Sequence, residues 1–147
     1  MLNEILLHLY ERDLNKLRAE IEQYSNEADL WKTSGEITNS GGNLCQHLSG
    51  NLQHFFGAVL GGTGYVRDRE AEFESKEVTK ADLLAGIDAA EAAVKETLAK
   101  LTDEDLSKTY PLVVYDQPMS TGQFFTSLAT HFNYHLGQIN YHRRLLS

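Results

Sequence analysis

A chain of 147 residues, 41% apolar and 23% charged, is long enough to bury its own core, and we expect one domain over residues 1–147. The net charge of −8 and the lack of basic runs argue against nucleic acid or an anionic membrane as a partner, and the single Cys45 excludes an internal disulfide. Without an early Lys or Arg, or an apolar run near the roughly 20 residues that span a bilayer, the sequence favours the cytoplasm.

The first half of the chain predicts two helices. Apolar residues recur every three or four positions from about Leu2 to Tyr24, which indicates one continuous buried face. Asp29 to Gly35 is predicted as a loop, with Trp31 packed over one end of a helical bundle. Thr38 to Ser40 offers N-cap candidates for the second helix, and the glycine-rich Gly61 to Gly64 ends it.

The second half predicts two more helices and one short extended element. A polar connection runs from Tyr65 to Val78, and Thr79 to Asp82 has the capping-box pattern that begins the third helix. Thr109 to Met119 is predicted as a small extended hairpin, serving as a lid or connector. The last helix follows its Ser120 cap and continues to about Leu146. Four long helices without internal repeats predict an all-α four-helix bundle.

Three histidines of the last helix are predicted to share its buried stripe. At about 100° per residue, His131, His135 and His142 fall within roughly 40° of one another. An unsatisfied buried ring costs roughly 1–3 kcal/mol, so each ring needs a partner. His131 and His135 are one turn apart, which lets both bind one metal ion. The other interpretation is a pair of hydrogen-bonded core histidines.

His47 of the second helix is the candidate third ligand. Alone, a histidine beside an apolar stripe is more often structural, but with His131 and His135 it completes a three-nitrogen site between facing helices. Three neutral imidazoles suit Zn or Ni, and they leave a coordination position for water or substrate. Cys45 projects about 160° away from His47, so we do not expect it to be a ligand.

The remaining histidines are not predicted to join this site. His54 and His142 each lie roughly 10 Å of helix rise beyond a predicted ligand. They could meet at a second site if the second and fourth helices were parallel, but we expect the antiparallel arrangement, which separates them. His8 is predicted to lie on the surface.

Three segments carry a resemblance to a known superfamily: Asn43-Leu-Cys-Gln-His47-Leu-Ser-Gly-Asn51, Arg67-Asp-Arg-Glu-Ala-Glu-Phe73 and His131-Phe-Asn-Tyr-His135-Leu-Gly-Gln138-Ile. Together they resemble the DinB-like superfamily, in particular the DinB/YfiT-like metal-dependent bacterial proteins. The resemblance implies an up-down-down-up four-helix bundle with a metal triad of one histidine from the second helix and two from the last. It places that triad on His47, His131 and His135, and it implies a homodimer because members commonly pair.

The resemblance also implies metal-dependent chemistry on a small-molecule substrate. Some members are similar to thiol S-transferases or isomerases that use bacillithiol, mycothiol or glutathione, and others look like hydrolases. No Asp or Glu is predicted on the histidine stripe to act as a general base, which favours thiol transfer. The alternatives are a metal-dependent hydrolase and a non-enzymatic stress protein whose metal is structural.

Four further residues are candidates for supporting roles. Gln138 and Asn51 could orient a ligand or water from outside the triad, or be core-edge amides bonded to the backbone. Arg67 and Arg69 could bind an acidic group of substrate or thiol, or instead pair with the acids of the 68–74 segment and order that loop. Tyrosines on one side of the last helix, Tyr134 and Tyr141, are typical of packing or subunit contacts.

Overall fold

The computed structural model describes residues 1–76 and 78–146 and is all-helical over them. Among these residues, no helix combines the length and apolar character that a bilayer crossing requires. Two single-turn elements, a 3-10 helix at Glu27–Trp31 and a π-helix at Gln53–Ala58, accompany the α-helices. The α-helices are α1 (Leu2–Glu22), α2 (Gly41–Leu52), α3 (Arg69–Glu74), α4 (Lys80–Ala99), α5 (Asp103–Ser107) and α6 (Thr121–Leu146).

The caps confirm where the predicted helices begin. The Ser40 hydroxyl accepts a hydrogen bond from the backbone N–H three residues later, which starts α2. Thr79 and Asp82 form the predicted capping box at the start of α4. At Gly42 a Cβ atom would overlap the ring of Trp31, so this glycine lets the tryptophan pack on the first turn of α2.

The four long helices share one core, because α1 and α2 both pack against α4 and α6. The predicted apolar stripes supply this core, including Tyr10, Leu48, Ile87 and Leu128, each at most 1% exposed. At one end, the Asn3 amide donates to the carbonyl of Leu101 at 3.1 Å. Burial of these stripes is the main stabilising term of the fold.

Several contacts fix which helix ends lie together. The Lys80 ammonium donates to the carbonyl of Glu22 at 3.0 Å, which brings the start of α4 to the end of α1. The rings of Phe55 and Phe124 lie 5.1 Å apart, at the end of the α2 segment and the start of α6. The Tyr10 hydroxyl donates to the carbonyl of Phe125, which links the first half of α1 with the first half of α6.

The π-helical turn that continues α2 was not predicted. Two of its carbonyls accept hydrogen bonds from side-chain hydroxyls. The carbonyl of Phe55 accepts from the Tyr110 hydroxyl at 2.7 Å, and that of Phe56 accepts from the Thr97 hydroxyl at 3.0 Å. The helical run ends before Gly62 (φ 62°), whose left-handed backbone agrees with the predicted glycine stop.

The predicted hairpin at Thr109 to Met119 is not confirmed as a strand pair. In the described part of the chain this segment makes only isolated antiparallel bridges, Thr109 with Ser120 and Tyr115 with Gln117. Both prolines of the chain lie in it, and proline has no N–H to donate to a β-ladder. The segment is therefore an irregular connection from α5 to α6.

The short helix α3 lies in the predicted polar connection, and α5 lies in a stretch to which no element was assigned. Asp68 caps α3 by accepting from the backbone N–H of Ala71 at 3.0 Å, and Thr102 with Asp105 forms a capping box at α5. Helices of five or six residues are too short to show an apolar period, so a periodicity argument cannot detect them.

Candidate metal centre

Three histidines from two helices come together inside the helical assembly. His47 lies on α2, and His131 and His135 lie one turn apart on α6. Their potential ligand atoms all lie within 4.8 Å of one another, and the Nε2 atoms of His47 and His131 are 3.2 Å apart. His47 is buried, while the other two rings are half-buried. The predicted convergence of these three residues is therefore present.

A buried acid on α3 holds the ring of His47. Glu72 Oε1 lies 3.1 Å from His47 Nδ1, and a carboxylate accepts, so the Nδ1–H donates to it. Arg67 in turn donates to both carboxylate oxygens of Glu72, at 2.9 Å each. The contact with Glu72 engages the Nδ1 of His47, so that its Nε2 faces the other two histidines.

Charge and backbone both favour the position of Glu72. Burial alone would raise the pKa of its carboxyl, but hydrogen bonds from His47 and Arg67 outweigh burial and lower the pKa overall. A Cβ atom at Gly50, in the middle of α2, would overlap the Glu72 carboxylate. Glycine in a helix interior costs roughly 0.5–1 kcal/mol relative to alanine, and here it allows an acid from α3 to lie against α2.

A second polar partner orients His135. The Oε1 of Gln138, one turn later, accepts from His135 Nδ1 at 2.7 Å. The lone pair of His135 is therefore on Nε2, and the ring lies 5.3 Å, centre to centre, from that of His47. Of the two interpretations of Gln138, the structure favours the one in which it orients a triad ring.

His131 is held in its neutral form and lacks a partner on one side. Burial is the main cause that lowers the pKa of His131 to about 4, with smaller contributions from the neighbouring groups His135, His47, Arg67 and Arg69. Its Nδ1 is buried and has no hydrogen-bond partner among the described residues. Burial also lowers the pKa of His135, partly opposed by Gln138. Neutral imidazole is the form that binds metal ions.

The donor set fits a divalent cation. With Zn–N bonds of 2.0–2.1 Å, two nitrogens of a tetrahedral site lie roughly 3.3 Å apart. The 3.2 Å between the Nε2 atoms of His47 and His131 matches that separation. The ligand atom of His135 lies within 4.8 Å of the other two. Two imidazole lone pairs facing each other at 3.2 Å require either a proton or a cation between them.

No fourth ligand closes the group. Among residues 1–76 and 78–146, no further His, Cys, Asp or Glu joins the three histidines. Glu72 lies behind His47, on its Nδ1 side, and does not face the common point. Cys45 is buried elsewhere in the core, and burial raises the pKa of its thiol to about 12, as expected for a residue outside the site.

The other predicted site residues separate into different roles. Arg67 pairs with Glu72, as the loop-ordering interpretation requires, and is 11% exposed. Arg69 is exposed and lies over the ring of Phe73 with its Cζ 5.3 Å from the centroid. Asn51 is buried one turn after His47 and forms no hydrogen bond to a triad ring within the described residues.

The remaining histidines lie outside the group. His142 Nδ1 is 2.6 Å from the hydroxyl of Tyr24, and its Nε2 donates to the carbonyl of Lys32 at 2.7 Å. His54 packs against Phe55 in the π-helical turn. They do not meet, in agreement with the expectation that no second site forms. His8 is exposed, as predicted.

Glu72 is the member of the site that the sequence argument missed. It was considered only as one of several acids that could pair with Arg67. Its role depends on α3, which places it on α2 beside Gly50. A glycine in the middle of a predicted helix, one turn after a candidate ligand, was the signal that could have indicated a close contact there.

The fold and this cluster define an all-helical protein with a candidate three-histidine metal centre. The model of the family described as "Protein of unknown function (DUF1572)" matches residues 7–147, and the chain belongs to that family. No match is found among the curated proteins. The activity therefore has to be argued from the site itself.

Proposed function

We propose that the protein binds one divalent metal ion, Zn or Ni, through His47, His131 and His135, and that it is a metal-dependent thiol S-transferase acting on small electrophiles. One observation carries the proposal: three ring nitrogens converge while separate partners hold two of the rings. Three protein ligands leave a position for an exchangeable donor, as catalytic sites do.

The engagement of Glu72 by other groups favours thiol transfer over hydrolysis. When bound, a divalent cation lowers the pKa of a thiol or water that approaches it. Hydrolysis also needs a group that takes a proton from water, and the carboxylate nearest the triad, Glu72, is committed to Arg67 and His47. In transfer, sulfur bonds to the electrophilic carbon, the leaving group departs with the bonding electrons, and the thiol proton passes to water.

Arg69 is our candidate for binding an acidic group of the thiol co-substrate. Its guanidinium is exposed and forms no ion pair in the described part of the chain, whereas that of Arg67 is paired with Glu72. Phe73, over which Arg69 lies, packs 4.7 Å from His47 between ring centres. A carboxylate bound there would be near the triad without displacing the Arg67–Glu72 pair.

We also propose the finer assignments of DinB-like superfamily and up-down-down-up topology. The three segments that carry the resemblance all contribute to the site: α2 supplies His47, the α3 segment supplies Glu72, and α6 supplies the remaining pair. Two contacts between helix ends support that order. The start of α1 meets the end of α4, and the end of the α2 segment meets the start of α6.

Metal content and thiol chemistry test this function together. The purified protein is stripped with a chelator and reloaded with Zn or Ni. It is then assayed with bacillithiol or glutathione and monochlorobimane, which becomes fluorescent when a thiol displaces its chloride. We expect one metal ion per chain and turnover that is lost in His131→Ala. The Arg69→Gln variant should raise KM for the thiol and leave metal content unchanged.

Two results would contradict the proposal in different ways. Failure to bind any divalent ion would remove the metal centre altogether. One bound ion with a large loss of thermal stability on chelation, and no turnover with either thiol, would instead indicate the structural-metal alternative, in which the ion mainly ties α2 to α6.

A further inference from the structure

A cleft of about 490 Å³ lies between α6 and residues 36–39 and has His135 of the triad in its wall. Its volume is in the range of small-molecule sites. His135 and its partner Gln138 form part of the wall, and Leu44, one turn before His47, forms another part. The cleft therefore extends from the protein surface to one of the three proposed metal ligands.

The walls of this cleft are mainly apolar and unusually exposed. Tyr134, Tyr141 and Leu145 project from α6 with 66%, 65% and 67% of their surface accessible. Ile37 faces them from the loop at 43% exposure. Covering such side chains with the body of a ligand removes apolar surface from water at about 25 cal/mol per Å². Aromatic walls of this kind suit rings and alkyl chains.

The charge of the cleft is as informative as its apolar character. None of its wall residues is Lys or Arg, and the one acid among them is Glu36. Glu36 is exposed and forms no ion pair within the described residues. The whole chain also carries a net charge of −8. An anion in this cleft would meet the like charge of Glu36, and the Arg144 guanidinium, which packs on Tyr141 with its Cζ 5.4 Å from the ring centroid, is not part of the wall.

We infer that this cleft binds an uncharged substrate with an aromatic or alkyl body and discriminates against anions. The inference rests on the proposed function for the identity of the reaction, since the cleft would hold the electrophile beside His135. The acidic thiol would then bind elsewhere, on the Arg69 side, whose residues are not part of this cleft. The charge preference belongs to the cleft walls and can be measured without metal.

A second copy of the chain is the competing occupant, because exposed tyrosines are also common in subunit contacts. The concavity favours a small molecule, since an open cleft of about 490 Å³ has the volume of a one-ligand site.

A charge series on metal-free protein tests the inference. Benzamide, benzoate and benzamidine share one shape and are neutral, anionic and cationic. Binding is followed by backbone amide NMR shifts. We expect benzamide to bind about tenfold more tightly than benzoate, benzamidine to bind at least as well as benzamide, and shifts to concentrate on residues 36–39 and 134–145. Glu36→Gln should strengthen benzoate binding about threefold and leave benzamide unchanged.

Two tyrosine variants locate the binding. Tyr141→Ala should weaken benzamide about tenfold, whereas Tyr115→Ala, at an exposed tyrosine outside the cleft, should not change it. Equal or tighter binding of benzoate would overturn the inference. The inference would also be overturned if light scattering gave the mass of a dimer and the Tyr141→Ala variant were a monomer. The cleft face would then be the contact with a second copy. Metal loading and thiol turnover test the proposed function, and ligand binding to the metal-free protein tests the cleft. The failure of one proposal can therefore be distinguished from the failure of the other.

Discussion

Two histidines on one face of α6 have opposite environments. Both ring nitrogens of His142 are satisfied, one by the hydroxyl of Tyr24 and one by the carbonyl of Lys32. His131, three turns earlier, faces the Nε2 of His47 at 3.2 Å, and its buried Nδ1 has no partner in the part of the chain that the structure describes. The same residue type in the same stripe is a core cross-link at one end and a candidate ligand at the other.

This difference shows that the position of a histidine in an apolar stripe does not determine its role. The role is determined by whether protein groups bond both of its ring nitrogens. Where protein groups bond both nitrogens, the ring has no lone pair left for a ligand. Where protein groups bond one nitrogen or none, and other rings converge on the same point, the ring is available to a cation.

The largest effect should come from the triad itself. His47→Ala, His131→Ala and His135→Ala should each weaken zinc binding by more than about 100-fold, since even outer partners of ligands contribute 10–100-fold. Competition with a chromogenic chelator measures the affinity. If His142→Phe weakened zinc binding as much as His131→Ala, the comparison between the two histidines would fail.

Substitution of His142 should instead lower the free energy of unfolding and leave metal affinity intact. His142→Phe keeps the ring shape but leaves the Tyr24 hydroxyl and the Lys32 carbonyl with no partner on that side, which should cost about 2–3 kcal/mol. Urea unfolding of the metal-free protein measures it, and zinc affinity should stay within about twofold. Tyr24→Phe, which removes only the hydroxyl, should cost less. An unchanged free energy of unfolding would show that His142 is not a structural cross-link.

A smaller effect should come from the support of His47. Glu72→Gln and Gly50→Ala should each weaken zinc binding about 10- to 100-fold, the first by removing the acceptor charge and the second by displacing the carboxylate. Gly86→Ala is the matched control, because a Cβ there meets Ser49 at an ordinary 3.6 Å. It should stabilise α4 slightly and leave the affinity unchanged. Full affinity in both test variants would remove Glu72 from the site.

The smallest effect should be a pH dependence of the free energy of unfolding of the metal-free protein. The folded-state pKa of His131 is about 4 and its ordinary value is 6.5, so the unfolded chain binds the proton more readily. The stabilising contribution is present above pH 6.5 and is lost as the pH falls toward 4. Urea unfolding between pH 7 and 5 should show this decline, and it should be shallower in His131→Asn. Identical slopes in both proteins would contradict it.

Much of this arrangement could be predicted from local patterns. The period of apolar residues places the long helices, and the capping residues Ser40 and Thr79 place their starts. The spacing of His131 and His135 predicts that both rings face one point, and His47 meets them there. These features depend on a few neighbouring residues and on the helical repeat, so the sequence alone contains them.

The parts that were missed depend on contacts between distant segments. The short helix α3 has no period of its own, and the role of Glu72 exists only because α3 packs on α2. The partners of His142 come from a carbonyl and a hydroxyl about 110 residues away, which no local pattern records. The π-helical turn likewise depends on the side chains of Thr97 and Tyr110.

The contact between Gly50 and Glu72 has a consequence for evolution within this family. A side chain larger than hydrogen at position 50 and a carboxylate lying on α2 exclude each other. A substitution at either position therefore removes the constraint on the other, and Arg67 loses its partner at the same time. Positions 50, 67 and 72 should change together among relatives, and members that have lost all three should hold their metal less tightly.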